Sequence, residues 1–234
     1  MADVSTGMYA TVSILMALRH AEKTGEGQLI DCSLLDTQIS MLANQALSYL
    51  VGGKPPGRLG NAHPTVVPYR VFEAADGPIV VAVGNNGQYA AMCAVLGVPE
   101  LASDPRFDTN AKRVINRAIL EPLLQEIIGR FPVADLMAQF PARGVPAGPV
   151  NDIGQVFRDP FVEARGTVHR FQRADGVEVP SVAYPAKLSA TPARFDRPPP
   201  RLGEHTMSAL ADWLDVGGNE LDLLEQAGII AGRD

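Results

Sequence analysis

Two cysteines, one tryptophan and an aromatic share of 6% are what this 234-residue chain has little of. Two thiols, Cys32 and Cys93, are too few for a disulfide framework or a cysteine metal cluster. They read as reduced, mostly buried side chains of a cytoplasmic protein, with no metal. A basic excess is also missing: Lys and Arg number 20 against 26 Asp and Glu, a net charge of -6. A nucleic-acid binder needs a basic face, so that class is disfavoured. No apolar run is long enough to cross a bilayer. The longest candidate, Met8 to Leu18, is too short and carries Thr11 and Ser13. Nor does it read as a signal-peptide core. Asp3 stands where a basic flank belongs, and Arg19-His20 follow in place of a cleavage site.

What is present is an ordinary globular content, 46% apolar, and a generous 19 prolines. The prolines gather near 55–56, 64–68, 141–149 and 192–200, where connectors belong. Met8 to Ala21 has helical character but is apolar nearly all round, and such a helix is buried on most sides. Gly25 is its expected stop. Gln28 to Cys32 reads as a short strand. Ser33-Leu-Leu-Asp36 matches a capping-box variant. The helix it opens carries Leu35, Ile39, Leu42, Ala46 and Tyr49 as one apolar stripe, ended by Gly52-Gly53 and Pro55-Pro56.

The stretch from Gly57 to Gln88 organises the rest. Thr65 to Glu73 and Ile79 to Val83 read as two strands around Asp76-Gly77, a hairpin signal in which Gly accepts positive φ. Two polar turns bracket them, Gly60-Asn61-Ala62-His63 and Gly84-Asn85-Asn86-Gly87. Further on, Gly87 to Leu96 reads as a helix and Asp104 to Phe107 as a turn. Thr109 caps a helical region through Ile128 in which Pro122 requires a break or a new first turn nearby. Pro132 to Ala142 reads as a short helix and Gly144 to Pro149 as an extended connector. Short helices follow at Asp152 to Phe157 and Pro160 to Arg165. A second hairpin turns on Asp175-Gly176. A proline-rich strap runs from Lys187 to Pro200, and two helices close the chain, about Thr206 to Leu214 and Glu220 to Ala227.

In this order the motifs resemble the class III CoA-transferases, the family of carnitine CoA-transferase, formyl-CoA transferase and the bile-acid-inducible F proteins. The residues that carry the resemblance run almost end to end. They include Ala2 to Gly7, Met16 to His20, Thr24 to Asp36, Arg58 to Pro64, Pro68-Tyr69 and Gly84 to Gln88. Asp104 to Phe107, Arg113-Val-Ile-Asn-Arg117, Gly144 to Val150 and Pro199 to Thr206 complete the set. The resemblance implies an α/β chain: an incomplete Rossmann-like large domain plus a small α+β domain, in an interlocked homodimer. Residues 1–55 and 186–234 would belong to the large domain, 66–185 to the small one, with 56–65 as a linking loop. Family members are longer, and the half expected to be absent is the N-terminal Rossmann-like one, which holds most of the coenzyme A contacts. The expectation is therefore a fragment or one half of a split protein, with a separate chain as a possible carrier of the other half.

The resemblance makes Asp3 the nucleophile toward an acyl-CoA; the residue alone reads as a cap of the first helix. It makes Gly57, Arg58, Gly60, Asn61 and His63 a lid over the intermediate. Arg58 pairs with an acceptor carboxylate or is solvated. His63 faces the acyl group or is an ordinary loop histidine, and Tyr69 packs on the hairpin. Asn85 and Asn86 hydrogen-bond a substrate carboxylate or carbonyl, or simply form the turn. The pattern around Asn61 to Pro64 looks most like transferases that use succinyl-CoA and dicarboxylates. One alternative is an α-methylacyl-CoA racemase on the same fold. Those enzymes carry Ala-Ile-Glu where this chain has Asn85-Asn86-Gly87, and the missing glutamate counts against it. Another alternative is a non-catalytic subunit that folds and dimerises only.

Overall fold

Alternation of apolar side chains builds a three-stranded antiparallel sheet in the first half of the chain. Strand β1 (Tyr69–Glu73) pairs with β2 (Pro78–Ala82), Phe72 opposite Ile79 and Val71 opposite Val80. Side chains alternate across a strand, so Ile79, Val81 and Val83 are all fully buried, with Phe72 beside them. The turn forms at Asp76-Gly77, but not through a positive φ at Gly77. It spans Ala74 to Gly77, closed by the Ala74 N–H donating to the Gly77 carbonyl at 2.9 Å. The Asp76 carboxylate accepts from the Val133 N–H at 2.7 Å, which holds the turn from outside. Strand β3 (Ala147–Pro149) lies on the other side of β2, Gly148 opposite Val80. The expected connector is thus a strand. Ala-Gly-Pro has little β-propensity of its own, and the open edge of β2 recruits it.

Five short helices pack beside this sheet's sequence: α4 (Asn86–Val95), α5 (Glu100–Ser103), α6 (Asn110–Ile115), α7 (Arg117–Ile128) and α8 (Val133–Gln139). In α7, Leu120, Leu124, Ile127 and Ile128 recur at helical spacing and are buried. They join Tyr89, Met92, Cys93, Leu136 and Phe140 in one core. The break required by Pro122 falls at Asn116 instead, and Pro122 lies inside α7. Proline there removes the bond to the Ala118 carbonyl, and both residues are exposed, so that carbonyl is open to solvent.

The N-terminal helices are α1 (Ala2–Thr24), α2 (Leu34–Ser40) and α3 (Asn44–Gly52). Ser33 caps α2 as expected, accepting from the Asp36 N–H at 3.0 Å. Two expectations fail here. Residues 28–32 form no strand, because among the described residues none pairs with them, and a strand exists only through its partner. The single helix through Tyr49 is two, interrupted at Ala43 with φ of 48°. Helix α1 packs against α2, and their buried residues are Ser5 and Thr37, both 6% exposed. Its remaining apolar face is open.

The model, a computed structural model, describes residues 1–173 and 175–230. It divides into two units, Met1–Pro149, just described, and one beginning at Val150. The second unit holds α9 (Ile153–Phe157) and α10 (Pro160–Ala164), then a hairpin of β4 (Val168–Gln172) and β5 (Glu178–Val182), and finally α11 (Thr206–Leu214) and α12 (Gly218–Gln226). Here the turn does use glycine's freedom: Gly176 has φ of 81°. Among the described residues no helix is long and apolar enough to cross a membrane.

Candidate active site

Asp3 lies in the first turn of α1 and is exposed. It does not cap the helix: Met1 occupies that position, and the Ser5 and Thr6 hydroxyls donate to the Met1 and Ala2 carbonyls at 2.9 and 2.8 Å. A carboxylate there is favoured by the helix dipole. Close to it along α1, Ser5, Met8, Tyr9 and Val12, with Met41, line a hollow of about 340 Å³. Among the described residues, no hydrogen bond or ion pair joins Asp3 to residues 57–63.

The Gly57–His63 loop is built by short-range bonds. Gly60 adopts φ of 61°, and the Ala62 N–H donates to the Leu59 carbonyl at 3.1 Å. Gly57, Arg58, Gly60 and Asn61 are exposed. The Asn61 side-chain oxygen accepts from the Val71 N–H at 3.1 Å, tying the loop to β1. His63 donates its N–H to the Tyr69 carbonyl at 2.8 Å, and its ring stacks on Tyr69 at 5.2 Å. Its Nδ1 accepts from the Thr65 N–H at 3.2 Å, so in the neutral ring the proton sits on Nε2.

The second polar turn opens α4. The Asn85 side chain caps the helix, accepting from the Gln88 N–H at 2.9 Å. Gln88 reaches back and its Oε1 accepts from the Gly84 N–H at 2.7 Å. Asn86 is exposed, and its Oδ1 accepts from Arg113 Nη2 at 3.1 Å.

Sequence reasoning missed what stands behind these turns. Arg113 is fully buried, its guanidinium 4.3 Å from the centre of the Tyr89 ring. It donates from Nε to the Val67 carbonyl at 2.7 Å and from Nη1 to the Phe107 carbonyl at 2.9 Å. Burial pulls it below the ordinary arginine range, yet arginine keeps its charge in proteins. Arg117 donates to the His63 and Pro64 carbonyls at 2.6 and 3.1 Å. Glu121, 7% exposed, faces Arg117 at 3.6 Å and Arg70 at 2.8 Å. The available signal was the Arg113-Val-Ile-Asn-Arg117 motif, which carries two arginines on one helical face. Among the described residues, no group of three or more His, Cys, Asp or Glu is placed to hold a metal ion.

Comparison with known proteins fixes the context. The family model "CoA-transferase family III" matches residues 1–206. A succinate–glutarate CoA-transferase of Agrobacterium fabrum is 44% identical over 90% of this chain and 53% of its own length. A human succinyl-CoA:glutarate CoA-transferase is 38% identical over 98% of this chain and 52% of its own. A crystal structure of a CaiB/BaiF family protein from Brucella suis superimposes with a TM-score of 0.75 at 42% identity, covering 90% of this chain and 55% of that one. The chain thus spans about half the length of the curated relatives it matches. With that match, and the same mixed α/β architecture in the solved structure, the chain belongs to the class III CoA-transferase family.

Proposed function

We propose that this chain serves the transfer of coenzyme A from an acyl-CoA donor to a carboxylic acid, with succinyl-CoA as donor and a dicarboxylate such as glutarate as acceptor. The observation that carries it is the 44% identity, over 90% of the chain, to a relative named for succinate and glutarate. Asp3 is the nucleophile of this reading. Its carboxylate oxygen attacks the thioester carbonyl carbon; the C–S bond breaks, leaving a mixed anhydride and CoA thiolate. The thiolate attacks the aspartyl carbonyl, freeing the donor acid and leaving an aspartyl-CoA thioester. The acceptor carboxylate then repeats both steps in reverse, and Asp3 is regenerated. Covalent exchange divides one hard step into easier ones, and the site must exclude water while anhydride and thioester exist. In this reading the Gly57–His63 loop is the lid, and Asn85-Asn86 meets the acceptor. Residues 1–55 and 186–234 contribute to a large domain, and 66–185 form the small one.

The exposed apolar side chains of α1 and α3 favour a second element of the proposal: activity needs further polypeptide, from a separate chain or a homodimer, over those faces. The experiment is glutaryl-CoA formation from succinyl-CoA and glutarate, followed by mass spectrometry. It is run with the chain alone and with a polypeptide supplying the N-terminal half of a relative. Product formation that Asp3→Ala abolishes supports the reading. Product formation unaffected by Asp3→Ala refutes the nucleophile. No product in either mixture, together with no calorimetric CoA binding, leaves a non-catalytic subunit. Epimerisation of an α-methylacyl-CoA without exchange would indicate the racemase chemistry instead.

A further inference from the structure

We propose that Asn110, Arg113 and Arg117 form a positioning face that holds the His63 and Asn86 turns in one frame. It sets the Asn86 side chain with its amide nitrogen outward, as a donor to a carboxylate oxygen of the acceptor acid. This inference rests on the transferase reading above.

The three residues recur at spacings of three and four, and so share one face of the helical path through α6 and α7. The interruption at Asn116 does not turn that face. The Asn116 N–H still donates to the Lys112 carbonyl at 2.9 Å, and the Leu120 N–H to the Asn116 carbonyl at 3.0 Å. Every member bonds the same extended segment. Arg117 takes the His63 and Pro64 carbonyls. Asn110 takes the Thr65 carbonyl at 2.8 Å and the Val67 N–H at 3.1 Å. Arg113 takes the Val67 carbonyl, then reaches Phe107 and Asn86. Segments far apart in sequence therefore meet on one guanidinium.

Arg113 forms no salt bridge among the described residues. Burying an unpaired cation is costly, and mere packing would be served as well by an apolar side chain. What a guanidinium supplies is a rigid fork of donors with no acceptor. Only the oxygen of the Asn86 amide can face it. The nitrogen, with both its protons, is left for the exposed side of the turn, beside the Asn86 and Gly87 N–H groups that open α4. The buried charge behind the amide polarises it and favours an anion in front. The Asn85 oxygen instead accepts from the Gln88 N–H, so among the described residues the guanidinium of Arg113 stands behind Asn86 rather than Asn85.

The test uses the whole chain with succinate as the probe. The Asn86 side-chain NH2 and the Gly84–Gln88 amides are followed by NMR during titration, with acetate as a single-carboxylate control. The wild type should show a saturable shift at the Asn86 NH2. Asn86→Asp keeps an oxygen toward Arg113 but removes the outward donor. It should melt no lower than wild type and bind succinate about ten-fold or more weakly. Arg113→Lys keeps the charge but loses the fork. It should speed hydrogen exchange in residues 63–67 and 84–88 together, leave the 168–182 hairpin unchanged, and weaken succinate similarly. If that variant unfolds, Asn86→Asp alone decides. No response at Asn86 in wild type, or wild-type affinity in Asn86→Asp, overturns the inference. CoA exchange with an unchanged acceptor KM in Asn86→Asp would sink it while leaving the transferase reading intact; succinate binding at Asn86 without exchange would do the reverse.

Discussion

Helices α1 and α7 are both rich in large apolar residues, and their fates are opposite. In α7, Leu120, Leu124 and Ile128 are fully buried. In α1, Met8, Val12, Ile14, Leu15, Met16 and Leu18 are each more than half exposed. The difference lies in the arrangement of the residues. The apolar residues of α7 keep to one stripe, which a single neighbouring layer can cover. Those of α1 go round the helix, and α2 covers only the strip around Ser5. An all-round apolar helix needs neighbours on several sides. Exposed area of this kind forgoes about 25 cal/mol per Å² of favourable burial, and large contiguous patches of it mark surfaces that bind other protein.

The largest expected effect tests that contrast directly. Phe140→Ala removes a fully buried ring from the core and should cost about 3–5 kcal/mol in chemical denaturation. Leu15→Ala, at a position 60% exposed, should change stability by no more than about 0.5 kcal/mol. Comparable losses at the two sites would break the comparison, since Leu15 would then be covered in solution. A loss at Leu15 that grows with protein concentration would sharpen it, naming a second copy of the chain as the cover.

The two halves of the first unit also differ in how well they could be read. The 69–82 hairpin was legible because apolar alternation and the Asp76-Gly77 turn agree. The reason for the turn was not: Gly77 sits at ordinary φ, while the matching Gly176 in the second hairpin uses positive φ. Strand β3 was invisible because its pairing, not its residues, makes it a strand. The false strand at 28–32 is the converse, a β-like run with no partner. At the candidate site, Asn85, Asn86 and His63 were legible as polar turn residues. Arg113 was not, because an arginine in a polar stretch reads as solvated, and its burial depends on the Val67 carbonyl and the Asn86 amide oxygen arriving from distant segments, beside the nearby Phe107 carbonyl.

A smaller effect compares the same local chemistry in both regions. Ser33 and Asn85 each cap a helix by accepting from the N–H three residues on, at 3.0 and 2.9 Å. Asn85→Ala should lower global stability by about 1 kcal/mol, because α4 is part of the core that melts as one unit. Ser33→Ala should leave the denaturation midpoint in place and show only as faster hydrogen exchange in Leu34–Ser40, the mark of local fraying. A global loss from Ser33→Ala as large as that from Asn85→Ala would mean that α2 melts with the core.

The smallest effect uses the two thiols, one in each region. Cys93 is fully buried, and burial pushes its thiol from an ordinary 9.0 up to about 11. Cys32 is half-buried, its sulfur 3.8 Å from the Thr6 carbonyl. A thiol-specific reagent at neutral pH should label Cys32 promptly and Cys93 only as fast as the core opens, because the thiolate is the reactive form and must be reached. The same burial has a pH consequence. A folded pKa raised above the unfolded one means that the unfolded chain gives up its proton first. The contribution of Cys93 is therefore fully present below about pH 9.0, the ordinary thiol value, and is lost as pH rises toward 11. Cys93→Ala should flatten that part of the stability profile. Prompt labelling of Cys93 in the native chain would show that the core opens far more readily than its packing implies, and the contrast between α1 and α7 would lose its basis.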